Sequence, residues 1–155
     1  LENLNGKSKT YYDILNLKKN ILEIHRKEFM SALFSKKVYI VEGINDELFL
    51  KKLLIKAGKQ YEQYNIFQCY GKPHFFPFIT IFKSLGIEVV ILFDEDKTTN
   101  EINVKINTVL EQNKHYKFTG CLESEIGYED KYNTPEFLEF LDNFNSYEQY
   151  FDIVN

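Results

Sequence analysis

The sequence predicts an α/β fold in which a parallel four-stranded sheet carries helices on both faces, preceded by an N-terminal helix. Three observations carry this reading. Short apolar runs rich in β-branched residues alternate with stretches of helical period, the pattern of strand–helix–strand units. One run, 88–93 (EVVILF), is apolar from Val89 to Phe93, enough for a strand covered on both faces. The chain has 155 residues, enough to close one hydrophobic core.

Each element follows from its residues. In 11–34, Tyr11, Ile14, Leu15, Ile21, Leu22 and Leu33 form one apolar face with charges opposite, which predicts a helix. Residues 1–10 are polar and read as a linker. Residues 37–41 are a short β-branched strand. Asn45 is expected to cap a helix over 46–57 that stops near Gly58. A second strand over 64–69 leads into Gly71-Lys72-Pro73, and Pro73 suits the first turn of a helix over about 74–85. The third strand is 88–93. In 101–113 the apolar positions suit strand or helix, and the length and polar opposite face favour a helix. A fourth strand over 116–121 is followed by a turn through Gly127, a helix near 134–142 and a short helical piece at 147–153. This organisation divides the chain into an N-terminal helix and linker, 1–34, taken from a longer protein, and one domain, 35–155, whose C-terminal end is expected to be truncated. The Leu at position 1 and the absence of an ATP-binding P-loop suit such a piece.

Composition narrows the function classes. The net charge of −4 does not mark a nucleic-acid-binding chain, but its distribution is uneven. Residues 1–59 carry 12 lysines and arginines against 7 acidic residues, and 60–155 carry 7 against 16. The basic half reads first as a solvated helix surface, with phosphate contact the alternative. Cys69 and Cys121 sit in or at the end of predicted strands and are expected to be buried free thiols, which fits a cytoplasmic protein. His25, His74 and His115 lack zinc-ligand spacing, and no signal peptide or apolar run of membrane-spanning length is present. The 11 tyrosines and 14 phenylalanines fall mostly at strand or helix spacing, so core packing is expected of them before base stacking.

The acidic residues are the chemical signal. Glu42 with Asp46, Asp94 with Asp96, and Glu123 each directly follow a predicted strand, although about eighty residues separate the first from the last. The carboxyl ends of parallel strands lie along one edge, where α/β sheets bind ligands. Four or five carboxylates in a small volume repel one another unless cations compensate. An all-oxygen set points to Mg²⁺ or Mn²⁺, and such clusters serve attack on phosphate or its transfer. On an extended chain Asp94 and Asp96 project to one side and Glu95 to the other. Glu125 is a further candidate ligand. Asp46 and Glu47 equally suit the first turn of a helix. Glu42 is a candidate acid or base, and Gly43 would let the backbone approach a phosphate closely. Lys72, beside His74 at a helix start on the same edge, suits phosphate contact.

These residues carry a resemblance. Glu42-Gly43 after one strand and Asp94-Glu95-Asp96 after a later one resemble the Toprim domain, shared by type IA and II topoisomerases, bacterial primases and several nucleases. Three segments, LFSKKVYIVEGINDELFLKKLL, GKPHFFPFITIFKSLGIEVVILFDED and CLESEI, more closely resemble the Toprim half of OLD-family (overcoming lysogenization defect) ATP-dependent endonucleases, over roughly residues 33–128. The resemblance implies a Toprim-like, Rossmann-like sheet and a metal-dependent DNA endonuclease with Glu42, Asp94 and Asp96 as catalytic residues. It places metal ligands at Glu42, Asp94, Asp96 and Glu123. Asp46 stands where the family usually has Glu. Two Mg²⁺ or Mn²⁺ ions are expected, one held by Asp94 with Glu42 and Asp46, the other by Asp96 and Glu123. The implied partners are DNA, an ATPase domain of the parent chain that brings ATP, and further copies in a homo-oligomer acting in phage defence. The family's downstream lysine has no counterpart here, since Lys131 alone follows Lys117 and lies close to Glu123. The alternatives are a topoisomerase- or primase-like activity, or an inactive assembly or DNA-docking module.

Overall fold

A computed structural model describes residues 27–71, 75–95, 114–129 and 133–155. Residues 27–33 are helical and lead into strand β1 (Lys37–Val41), then helix α1 (Ile44–Lys56). A 3₁₀ turn, Tyr61–Gln63, precedes β2 (Asn65–Gln68), followed by α2 (Phe75–Ser84) and β3 (Glu88–Glu95). Then come β4 (Lys114–Thr119), α3 (Leu122–Ile126), α4 (Thr134–Asn143) and a 3₁₀ segment, Tyr147–Ile153. The expected helix over 101–113, the start of the expected N-terminal helix and Pro73 lie outside the described residues.

All four strands are parallel, in the order β2-β1-β3-β4. Strand alternation sends Tyr39 and Val41 of β1 and Val90 and Leu92 of β3 to one face, where Phe49, Leu50, Leu53 and Leu54 of α1 cover them. The α4 residues Phe137 and Leu141, with Tyr147 and Tyr150, complete that layer. Val38, Ile40, Val89, Ile91 and Phe93 point to the other face and pack under Phe75, Phe78, Ile79 and Phe82 of α2 and Ala32 of the first helix. Burial on both faces explains why EVVILF contains no polar alternation.

From β1 the chain steps outward to β2, then passes across to β3 on the opposite side of β1. The strand order therefore reverses between β1 and β3, and their carboxyl ends flank a crevice, the position at which doubly wound sheets bind ligands. Glu42 follows β1 directly, and Asp94 lies on β3 itself, opposite Phe118 of β4.

Two local expectations are corrected. Asn45 does not cap α1; Gly43 occupies that position, and its N–H donates to Asp46 Oδ2 at 2.8 Å. The stretch after β4 is not a plain turn but the helix α3, whose five residues are too few to show a helical period in sequence. Gly127, at φ 83°, ends it and lets the Tyr128 N–H return to the Glu123 carbonyl at 2.8 Å.

Candidate active site

The crevice at the β1–β3 switch is an open cleft of about 290 Å³. Four acidic residues from four positions in the fold line it: Glu42 after β1, Asp46 on α1, Asp94 on β3 and Glu123 on α3. Glu42 is half-buried, whereas Asp46, Asp94 and Glu123 are only 6%, 8% and 6% exposed, a degree of burial that carboxylates rarely show without a partner.

Each of the three buried carboxylates has one oxygen held by a protein donor. Gly43 N–H holds Asp46, as above. The N–H of Leu122, one of the first-turn donors that α3 cannot satisfy within itself, reaches Asp94 Oδ1 at 2.9 Å. Asn45 Nδ2 donates to Glu123 Oε1 at 2.7 Å and so ties α1 to α3. Strand alternation puts Asp94 on the α1 side with Val90 and Leu92, while Glu95 points away and meets Lys117 at 2.6 Å.

Electrostatically the cleft is dominated by negative charge. Burial, and then the charges of Asp94, Glu42 and Glu123, push the Asp46 carboxyl well above the usual aspartate range, against the lowering effect of the Gly43 N–H. Burial together with Glu42 also pushes the Cys69 thiol well up. Both cysteines are free, Cys69 buried and Cys121 partly so.

The donor chemistry suits a hard divalent cation: carboxylate oxygens, no imidazole or thiolate, and like charges that a cation would offset. Gly43 leaves room beside the Asp46 carboxylate, since a Cβ there would lie 3.6 Å from Asp46 Oδ2. Among the described residues no three His, Cys, Asp or Glu side chains stand close enough to grip an ion without adjustment.

Sequence reading did not bring every candidate here. Glu125 does not line the cleft; its two oxygens accept from Tyr116 Oη at 3.0 Å and from the Thr119 N–H at 2.5 Å. Residues two apart project differently on a helix than on a strand, so α3 separates Glu125 from Glu123. Glu47 turns to Lys51, at 2.6 Å. Asp96, Lys72 and His74 lie outside the described residues. Asn45, read as a cap, is the site residue that sequence reasoning missed; a polar side chain in the first turn directly after Glu-Gly was the available signal.

Fold and cleft together define a doubly wound α/β domain with an acidic site at its topological switch point. Residues 33–96 match the family model described as "Overcoming lysogenization defect protein-like, TOPRIM domain", so that stretch is similar to an OLD-like TOPRIM domain. The match takes in Glu42, Gly43, Asp46, Asp94 and Asp96, and the fold brings Glu123 to the cleft that Glu42, Gly43, Asp46 and Asp94 line. No curated protein matches the chain.

Proposed function

We propose that the chain is the nuclease part of an OLD-type enzyme and hydrolyses DNA phosphodiester bonds with divalent metal. The observation that carries this reading is the convergence of Asp46, Asp94 and Glu123, nearly fully buried, with Glu42 in one cleft at the carboxyl edge of the sheet. Glu42, Asp46 and Asp94 are the groups that would hold one Mg²⁺ or Mn²⁺, with Glu123 and Asp96 toward a second. Bound there, the metal supplies Lewis-acid charge and an activated water for attack on phosphate.

The chain's own residues do the positioning. The donors from Gly43, Leu122 and Asn45 fix carboxylate orientation, the role that outer hydrogen bonds play in metal sites. Burial and the charges of Asp94, Glu42 and Glu123 disfavour the ionised Asp46 carboxylate in the empty cleft, a cost that a bound cation would offset. By its resemblance to OLD-type enzymes, the parent protein would couple this domain to an ATPase, assemble as a homo-oligomer and act in defence against phage.

The test is cleavage of supercoiled plasmid in Mg²⁺ or Mn²⁺, alongside titration of Mn²⁺ into the protein. Wild type should nick or cut and bind Mn²⁺, while Glu42→Ala and Asp94→Ala should lose at least about 100-fold in rate, a few kcal/mol of transition-state charge stabilisation. Cleavage that persists in both variants overturns the reading. A wild-type domain that binds DNA but neither Mn²⁺ nor Mg²⁺ makes it a docking module.

A further inference from the structure

Beside the acidic cleft lies a second hollow of about 210 Å³, lined by Tyr70, Phe67, Ile44, Gln68, Glu28 and Glu47. Ile44 lines both, and Tyr70 is followed by Gly71, a lining residue of the cleft, so the two abut. Tyr70 is the only non-glycine among the described residues with positive φ, at 59°, and the residue is 44% exposed. A bulky residue in that backbone region is held there against its own preference. The neighbouring chain enforces it: Cys69 N–H donates to the Val41 carbonyl at 2.9 Å and Gly71 N–H to the Glu42 carbonyl at 3.1 Å, so Tyr70 bridges two fixed points.

We propose that this hollow is a nucleobase pocket, in which an unpaired base next to the phosphate in the acidic cleft stacks on Tyr70. The inference rests on the nuclease reading and names how that site grips its substrate. The lining chemistry selects the base rather than the phosphate. Glu28 and Glu47 repel phosphate, while their carboxylates and the Gln68 amide oxygen are acceptors for exocyclic amino groups. Lys51, 2.6 Å from Glu47, holds that acceptor in place. The Tyr70 ring supplies a π-face, and Ile44 and Phe67 supply apolar wall. Adenine, cytosine and guanine carry an amino group and thymine does not, so the pocket disfavours thymine. Because the base must leave its stack, the substrate at this point is single-stranded or flipped.

The experiment uses single-stranded oligonucleotides in which 2-aminopurine is walked along the sequence, bound in Ca²⁺ to suppress cleavage, against wild type and Tyr70→Phe, Tyr70→Ala and Tyr70→Gly. Wild type and Tyr70→Phe should alter 2-aminopurine fluorescence strongly at one position. The Ala and Gly variants should lose that signal and about fivefold or more in affinity. Tyr70→Gly should also unfold at a higher temperature, because glycine accepts the positive φ. Thymine at that position should bind about fivefold or more weakly than adenine. If wild type cleaves DNA and Tyr70→Gly keeps the signal and the affinity, the pocket is refuted and the nuclease reading stands. If wild type binds neither Mn²⁺ nor DNA, both are overturned.

Discussion

Asp46 is the residue whose surroundings conflict most with its charge. It is buried among Asp94, Glu42 and Glu123, and its carboxyl is pushed well above the ordinary value of 3.8. The folded state therefore keeps a proton that the unfolded chain has already released. Stability tied to that proton is fully present below the ordinary value and is lost as pH rises through the raised folded value. At neutral pH without cations, Asp46 thus weakens the fold. Asp46→Asn, whose amide oxygen can still accept from Gly43, should unfold at a higher temperature than wild type in EDTA at pH 7 and match it near pH 3. Thermal unfolding at both pH values checks the sign. Gly43 makes a complementary prediction. Its φ of −143° suits any residue, but alanine is a poorer N-cap than glycine, so in Gly43→Ala the gain from restricting the unfolded chain is offset and stability should change little. The added Cβ enters the space beside Asp46, so Mn²⁺ affinity should fall in the same variant, as read by calorimetric titration.

At the scale of elements, the site is held by helices that each have another task. α1 buries Phe49, Leu50, Leu53 and Leu54 against the sheet, with Phe49 among the rings of Phe118, Tyr147 and Tyr150. That packing fixes the helix start, and with it Asn45 and Asp46. The contact from Asn45 to Glu123 spans 78 residues and joins α1 to α3. Asn45→Ala should cost about 1.5–3 kcal/mol in denaturant unfolding, the loss of one hydrogen bond to a buried carboxylate. It should weaken Mn²⁺ binding by roughly 10- to 100-fold, because Glu123 is no longer oriented. If the affinity is unchanged, Asn45 is structural only. The strands and longer helices were legible in sequence because their apolar periods span several residues. α3 was not, because five residues between Cys121 and Gly127 hold no full period.

For the whole molecule, topology is what turns separated acidic residues into a site. The β2-β1-β3-β4 order places the strand-order reversal between the two strands that carry Glu42 and Asp94. Such a site should link cation binding to global stability, since only the folded chain assembles it. At Mn²⁺ near 100 times its dissociation constant, stabilisation should be about 2.7 kcal/mol, a rise of roughly 5–10 °C in Tm. EDTA should reverse the rise and Asp94→Ala should abolish it. No shift in wild type at millimolar Mn²⁺ would contradict a metal site. Among the described residues no helix is long and apolar enough to cross a membrane.

By itself, the sequence determined the alternation of strands and helices, the two-face burial of β3, and the placing of Glu42, Asp94 and Glu123 at or near strand ends. These follow from local periodicity and the fixed polarity of a parallel sheet. The tertiary structure alone decided which carboxylates share a cleft, that Asn45 serves Glu123 and not the helix cap, and that Glu125 turns to Tyr116. It also decided that Tyr70 is held at positive φ beside the site. The physical reason is common to all four: each depends on a side chain or backbone group brought from elsewhere in the chain, and no local pattern encodes a distance across the fold.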